Sequence, residues 1–170
     1  MTAVALGPAG ERRRLIVVRH AQSGQAVGSD DHARTLTPGG TADAIAVGRA
    51  IAALGWWPEL VVSSDSARTR LTWEGLQGAL GAVPVRWEPS LYESHLGAAQ
   101  AALEGVPCAV STVLVLGHNP TWERLVAWLS GVPVGMRPAT AALLETRSGR
   151  WDELVGAPER WSLVQVISPR

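Results

Sequence analysis

The strongest constraint on this chain is the run Leu15-Ile16-Val17-Val18, branched and apolar at every position, which stops abruptly at Arg19-His20. A run that is apolar throughout, and not at alternate positions, predicts a strand buried on both faces, as in a parallel sheet with helices on each side. The polar pair then emerges at the carboxyl end, where open α/β sheets keep their ligand crevice. A guanidinium is a planar fork of donors that fits phosphate oxygens, and an imidazole serves as nucleophile or proton carrier near neutral pH. An Arg-His pair can also simply solvate the rim of a sheet, so its meaning depends on what the other strand ends deliver.

Two of them deliver similar chemistry. Leu60-Val61-Val62 runs into Ser63-Ser64-Asp65-Ser66, and the helix predicted over 67–80 carries Arg68 in its first turn. The helix dipole disfavours a cation there, and an anion bound between the helix N-terminus and Arg68 would remove the conflict. Arg70 reads as an exposed helix residue. The strand Thr112-Val113-Leu114-Val115-Leu116 ends at Gly117-His118-Asn119-Pro120, placing a second histidine at the carboxyl end of a buried strand. Gly117 permits close backbone approach, Pro120 suits a helix start, and Trp122, Leu125, Val126, Trp128 and Leu129 form that helix's apolar face. Asn119 is the only asparagine in the chain.

The connecting segments complete an α/β pattern. Residues 24–34 are rich in Gly, Ser and Asp without periodicity, a loop placed to close over a ligand. Thr37-Pro38 is an N-cap followed by proline at the first helical position. Ala44, Ile45, Val47, Gly48, Ile51 and Leu54 give the following helix an apolar face ending at Gly55. Val83-Pro84-Val85-Arg86-Trp87 reads as a strand near an edge, because of its proline. It leads to Leu91-Tyr92-Glu93 and a helix over 96–103, so that Glu93 and His95 follow a strand end, with His95 read as solvated. Residues 132–137 read as a Gly/Pro loop, 139–145 and 161–167 as strands, and 151–160 as loop. The expected fold is a three-layer α/β/α sandwich whose central sheet is mainly parallel, later strands adding antiparallel edges, in one domain over 1–170. Residues 1–13 are expected to be a loose N-terminal tail.

Composition narrows the function. With 170 residues, 46% hydrophobic and a mean hydropathy of +0.10, the chain can bury a sizeable core. Fifteen basic residues, all Arg, balance fifteen acidic ones, so no general field draws it to nucleic acid or an anionic membrane, and any anion must be held locally. The single cysteine, Cys108, excludes an internal disulfide and a multi-cysteine metal site, fits a reducing cytosol, and is expected to be a small buried hydrophobe. No signal-like segment or membrane-length apolar run is present, and the protein is expected to be cytoplasmic. Two histidines about a hundred residues apart among arginines make a poor divalent-cation site, so no metal and no cofactor is expected. Guanidiniums and a protonated imidazole suit instead a phosphoryl group, whose charge spreads over three oxygens during transfer.

In these motifs the sequence resembles the histidine phosphatase superfamily, of phosphoglycerate-mutase-like fold. Arg19-His20-Ala21 matches its Arg-His-Gly or Arg-His-Ala signature. Ser64 through Arg68 to Thr72 matches its Ser-x-x-x-Arg-x-x-x-Thr segment, and Gly117-His118-Asn119 its second-histidine motif. The short chain, the lack of a large insert and the Arg34-Thr35-Leu36-Thr37-Pro38-Gly39-Gly40 element are similar to the SixA-type phosphohistidine phosphatase branch. The resemblance covers 15–167. It implies that His20 is the nucleophile that becomes phosphorylated, that Arg19, Arg68 and His118 hold the phosphoryl oxygens, and that Glu93 stands where many family phosphatases place the acid for the leaving group. Arg34, Ser23 and Asn119 are added as substrate-binding candidates.

The activity implied is metal-independent hydrolysis of phosphohistidine or a phosphomonoester through a phosphohistidine enzyme, with a phosphorylated protein or a small phosphorylated metabolite as partner. The alternatives are a phosphomutase and a catalytically silent module that binds a phosphoprotein. Gln22-Ser23-Gly24-Gln25 lacks the asparagine that mutases carry shortly after the nucleophile, which argues against the first. The full set of pocket residues argues against the second.

Overall fold

The structure, a computed structural model, describes residues 12–25, 28, 30–147 and 149–169. Six strands form one sheet in the order β3-β2-β4-β1-β5-β6. They are β1 (Arg12–Arg19), β2 (Leu60–Ser63), β3 (Val85–Trp87), β4 (Thr112–Gly117), β5 (Ala141–Arg147) and β6 (Ser162–Ile167). The first four are mutually parallel, while β5 pairs antiparallel with β1 and β6 antiparallel with β5, on one side. The predicted three-layer sandwich is therefore the observed one, with β3 at an edge and beginning only after Pro84.

The sheet is covered on both faces, as the unbroken apolar runs require. Helices α1 (Pro38–Ala53) and α2 (Ala67–Leu80) cover one face. There Ala44, Val47, Ile51, Trp73 and Leu76 meet Ile16, Val18, Leu114 and Leu116. Helices α3 (Leu96–Glu104), α4 (Thr121–Ser130) and α5 (Trp151–Gly156) cover the other, where Leu103, Trp122, Leu125 and Trp151 meet Leu15, Val17, Val113 and Val115. Leu15, Ile16, Val17 and Val18 have no exposed surface. Burial of each such side chain contributes about 1.5–3 kcal/mol, so this one strand anchors both cores.

Several expectations need correction. Strand β1 begins at Arg12, so Arg12 and Arg13 belong to the sheet and not to a tail. Arg13 is buried because its guanidinium donates to the Val110 and Gly149 carbonyls; the rest of the expected tail lies outside the described residues. Ile45 and Leu54, assigned to the apolar face of α1, are exposed, since the face that packs on α2 and the sheet is Ala44, Val47, Gly48 and Ile51. Residues 151–156, expected as loop, form α5, held by Trp151, Leu154 and Val155 on one face. Strand β5 starts two residues later than expected, after Ala139 at a positive φ of 64°. Cys108 is exposed, because it lies in the loop after α3 and not in the core. Among the described residues no helix is long and apolar enough to cross a membrane.

Topology decides where the site lies. From β1 the chain crosses through α1, on one face, to β2. From β4 it crosses through α4, on the opposite face, to β5. Strands β1 and β4 are neighbours, so the connections part in opposite directions between them, which makes that gap the topological switch point where open α/β sheets bind ligands.

Candidate active site

The three motifs meet because their strands end in register. Arg19 lies opposite Gly117 and Ser63 opposite Leu116, so His20, Ser64 and His118 leave the sheet at one level. Backbone bonds continue the ladder past the strand ends, His20 N–H donating to the Gly117 carbonyl (3.0 Å) and Ser64 N–H to the Leu116 carbonyl (3.0 Å). Gly117 admits this approach because a β-carbon there would sit 2.7 Å from the Trp122 indole, the side chain that roofs the strand end.

The two imidazoles stand with ring centroids 5.2 Å apart, at 7% and 8% exposure. His20 Nδ1 lies 2.7 Å from the Ala21 carbonyl, an arrangement that puts its proton on Nδ1 and leaves the Nε2 lone pair free to attack. His118 Nε2 lies 2.8 Å from the Ser64 hydroxyl, and its Nδ1 is buried with no partner among the described residues. With the Ser64 hydroxyl donating to Nε2, His118 presents Nδ1–H as a donor. Burial pushes the His20 pKa down to about 4, helped by Arg68, Arg19 and Arg34 and opposed by the Ala21 carbonyl. Burial, then the charges of His20, Arg68 and Arg19, pushes His118 down to about 3 against the pull of Asp31. Both rings are neutral at pH 7.

Each arginine is held on one side and open on the other. Arg19 donates from a terminal nitrogen to the Met136 carbonyl (2.9 Å), and Arg68 to the Asp31 carbonyl (2.9 Å). The Nε of both is buried without a partner among the described residues. Ser66 caps α2, and Thr72, four residues after Arg68, accepts from Ala21 N–H and donates to the Arg68 carbonyl, tying the helix to the loop after His20. Unpaired buried donors beside two imidazoles form a cradle for an oxyanion.

The remaining candidates are placed unequally. Arg34 pairs with Asp31 (2.8 Å) and is close enough to His20 to lower its pKa. Ser23 forms a backbone bridge with Leu36, at the loop that returns to α1. Asn119 donates to Glu123 and to the Met136 carbonyl (2.9 Å each), so its amide braces the loop that holds Arg19. Glu93 is exposed, at a positive φ of 51°, and its carboxylate has no hydrogen-bond or ion-pair partner among the described residues. Arg70 is exposed as expected, and His95 is exposed and caps α3.

Three residues at the site were not singled out in the sequence. Asp31 sits in a single 3-10 turn (Asp31–Ala33) and bonds Arg34, Arg68 and the Tyr92 hydroxyl, the last at 2.5 Å. Tyr92 lies edge-on to His118, with ring centroids 5.7 Å apart. Glu123 accepts from Asn119 and from Met136 N–H (2.8 Å). Tyr92 is the chain's single tyrosine, a signal of the kind that Asn119 carried.

Known proteins are similar to this chain in sequence and in fold. The family model for the histidine phosphatase superfamily (branch 1) matches residues 15–107, which include Arg19, His20, Arg34, Arg68 and Glu93. An uncharacterized chloroplastic protein of Arabidopsis thaliana is 34% identical, over 92% of this chain and 78% of its own length. Among solved structures, a candidate phosphohistidine phosphatase SixA from Nakamurella multipartitia superposes with a TM-score of 0.81 at 33% identity, over 95% of this chain and 98% of its own. A candidate SixA from Agrobacterium tumefaciens gives a TM-score of 0.77 at 25% identity, covering 92% and 98%. With the family's motifs gathered at one switch point, the chain belongs to the histidine phosphatase superfamily, in its SixA-type branch, and is a phosphoric-group hydrolase.

Proposed function

We propose that this hydrolase removes the phosphoryl group from phosphohistidine or a phosphomonoester, on a protein or a small metabolite, through a phosphorylated His20 and without a metal. The observation that carries the reading is the pair of buried imidazoles 5.2 Å apart, flanked by the open Nε edges of Arg19 and Arg68. His20 Nε2 attacks phosphorus in line as the bond to the leaving group breaks and its electron pair departs with that group. Arg19, Arg68 and His118 Nδ1–H take the three equatorial oxygens, and Arg34 adds charge nearby. Water then attacks the phosphorus of phospho-His20; the electron pair of the breaking P–N bond returns to Nε2, and phosphate leaves. Metal independence follows from the donor set, since guanidiniums beside the phosphoryl position would repel a divalent ion and already supply its charge.

Trapping with a labelled phosphate donor tests this. The wild type should acquire acid-labile, base-stable phosphate and turn over in excess EDTA. His20→Ala should fold, carry no label and lose turnover. Loss of activity to EDTA, restored by a divalent ion, would remove metal independence, and label retained by His20→Ala would move the nucleophile elsewhere.

A further inference from the structure

Away from the catalytic mouth, α1 and α2 meet so closely that they leave a groove on their solvent side. A β-carbon on Gly75 would stand 2.7 Å from the Ala44 side chain, and one on Gly48 2.8 Å from the Leu76 carbonyl oxygen, so glycine at both positions lets the helices close to backbone contact. The groove beside this contact holds about 500 Å³, with Ile45 and Arg49 of α1 on one wall and Leu71, Glu74, Gly75 and Gly78 of α2 on the other. It runs along the middle of both helices, beyond the first turn of α2 that carries Arg68, and is distinct from the phosphoryl pocket.

The apolar surface of the groove lacks a cover. Ile45 is 38% exposed although it follows buried Ala44, Leu71 is half-buried, and a β-carbon on Gly78 would meet nothing within 4 Å. The charges are equally unanswered, since Arg49 and Glu74 are exposed on facing walls and neither has a hydrogen-bond or ion-pair partner among the described residues. One charge of each sign selects no simple ion. An occupant must instead bring a carboxylate to Arg49, a cation to Glu74 and a branched apolar side chain to the floor at Gly75 and Gly78. The patch itself carries all three. Ile45 and Arg49 are four residues apart and share a face of α1, while Leu71, Glu74, Gly75 and Gly78 share a face of α2.

We propose that the groove between α1 and α2 is the contact between two copies of this chain, related by a twofold axis. In such a pair each copy contributes the same surface, so Ile45 of one enters beside Gly75 and Gly78 of the other, and Arg49 of each meets Glu74 of the other. The axis makes the two ion pairs equivalent, so they form together or fail together. Small residues on the floor let a neighbouring helix pack closely into the groove. Apolar burial supplies the affinity, and the two ion pairs fix which faces meet.

Sedimentation equilibrium of the full chain, at concentrations up to about 1 mM, tests this. The wild type should show a reversible equilibrium between monomer and dimer that weakens as salt rises. Arg49→Glu sets carboxylate against carboxylate at both contacts, and Glu74→Arg sets guanidinium against guanidinium. Each should weaken the dimer by roughly 10–100-fold. Mixed in equal amounts, the two variants should recover a heterodimer of wild-type strength, because every introduced charge then faces its opposite. Gly78→Gln fills the groove without meeting its own chain, and should abolish the dimer while the circular dichroism spectrum stays that of the wild type. A wild type that is monomeric throughout overturns the proposal. A dimer that either charge variant leaves intact also overturns it, placing the contact on another face, as does a mixture that fails to recover. If a charge variant loses its fold, Gly78→Gln decides, and a dimer that it preserves overturns the proposal.

Discussion

Glu93 and Asp31 show how two carboxylates close in the fold differ in what they can do. Glu93 follows Tyr92 by one residue, yet the left-handed turn at Glu93 leaves Tyr92 against His118 and the Glu93 carboxylate exposed and unpaired. Glu93→Gln is therefore expected to leave an alkyl phosphate, an aryl phosphate and a phosphohistidine peptide at unchanged rates. Slowing of about 10²–10⁴-fold confined to the alkyl phosphate would restore to Glu93 the role of general acid. The difference explains what could be read from the chain at this scale. Arg19, His20 and His118 could be placed because they stand at or within two residues of the end of a buried apolar run, and Arg68 because it falls in the first turn of the helix that follows such a run. Asp31 and Tyr92 lie in loops, and their meeting across 61 residues depends on how two irregular segments fold over the sheet, for which no periodicity exists.

Among the elements, α1 is tied at its start to the loop after His20. Thr37 caps it, accepting from Gly40 N–H, and Thr37 N–H donates to the Gln22 carbonyl, two residues beyond His20. A β-carbon on Gly40 would stand 2.2 Å from that carbonyl oxygen, so the Arg34-to-Gly40 element is a seat on which the loop after His20 rests. Gly40→Ala should push the loop outward, costing about 1–3 kcal/mol as overpacking does and lowering Tm by several degrees, with kcat falling too. Gly39→Ala, whose added carbon meets nothing nearer than 3.9 Å, is the control and should leave kcat unchanged. Equal melting temperatures for Gly40→Ala and wild type would refute the contact. The cap and the limits of α1 and α2 could be read from Thr37-Pro38 and the apolar spacing. Helix α5 could not, because six residues offer less than two turns of periodicity and Trp151 is buried through partners distant in the chain, the Val110 carbonyl and the Trp161 ring among them.

At the scale of the whole molecule, the order of the strands cannot be read along the chain, since it depends on which strands pair, but its consequence is electrostatic and measurable. The switch point gathers buried Arg68 and two buried imidazoles with half-buried Arg19 and Arg34, in a chain whose net charge is zero. Both histidines have folded pKa values below the ordinary 6.5, so the unfolded chain binds protons first as pH falls. Their contribution to stability is complete above about pH 6.5 and is lost progressively as pH falls toward about 4 for His20 and about 3 for His118. An oxyanion in the cradle would oppose the loss, because it favours the protonated rings that the empty pocket disfavours. Sulfate is the suitable probe, remaining a dianion throughout this range. Melting temperatures measured with and without sulfate, at constant ionic strength set by chloride, should show a larger gain at acid than at alkaline pH. The gain should shrink in His118→Ala, which loses a titrating ring and a donor together. A gain independent of pH, or one that His118→Ala preserves in full, would mean that sulfate acts on the surface at large and that the two histidines do not face a common anion.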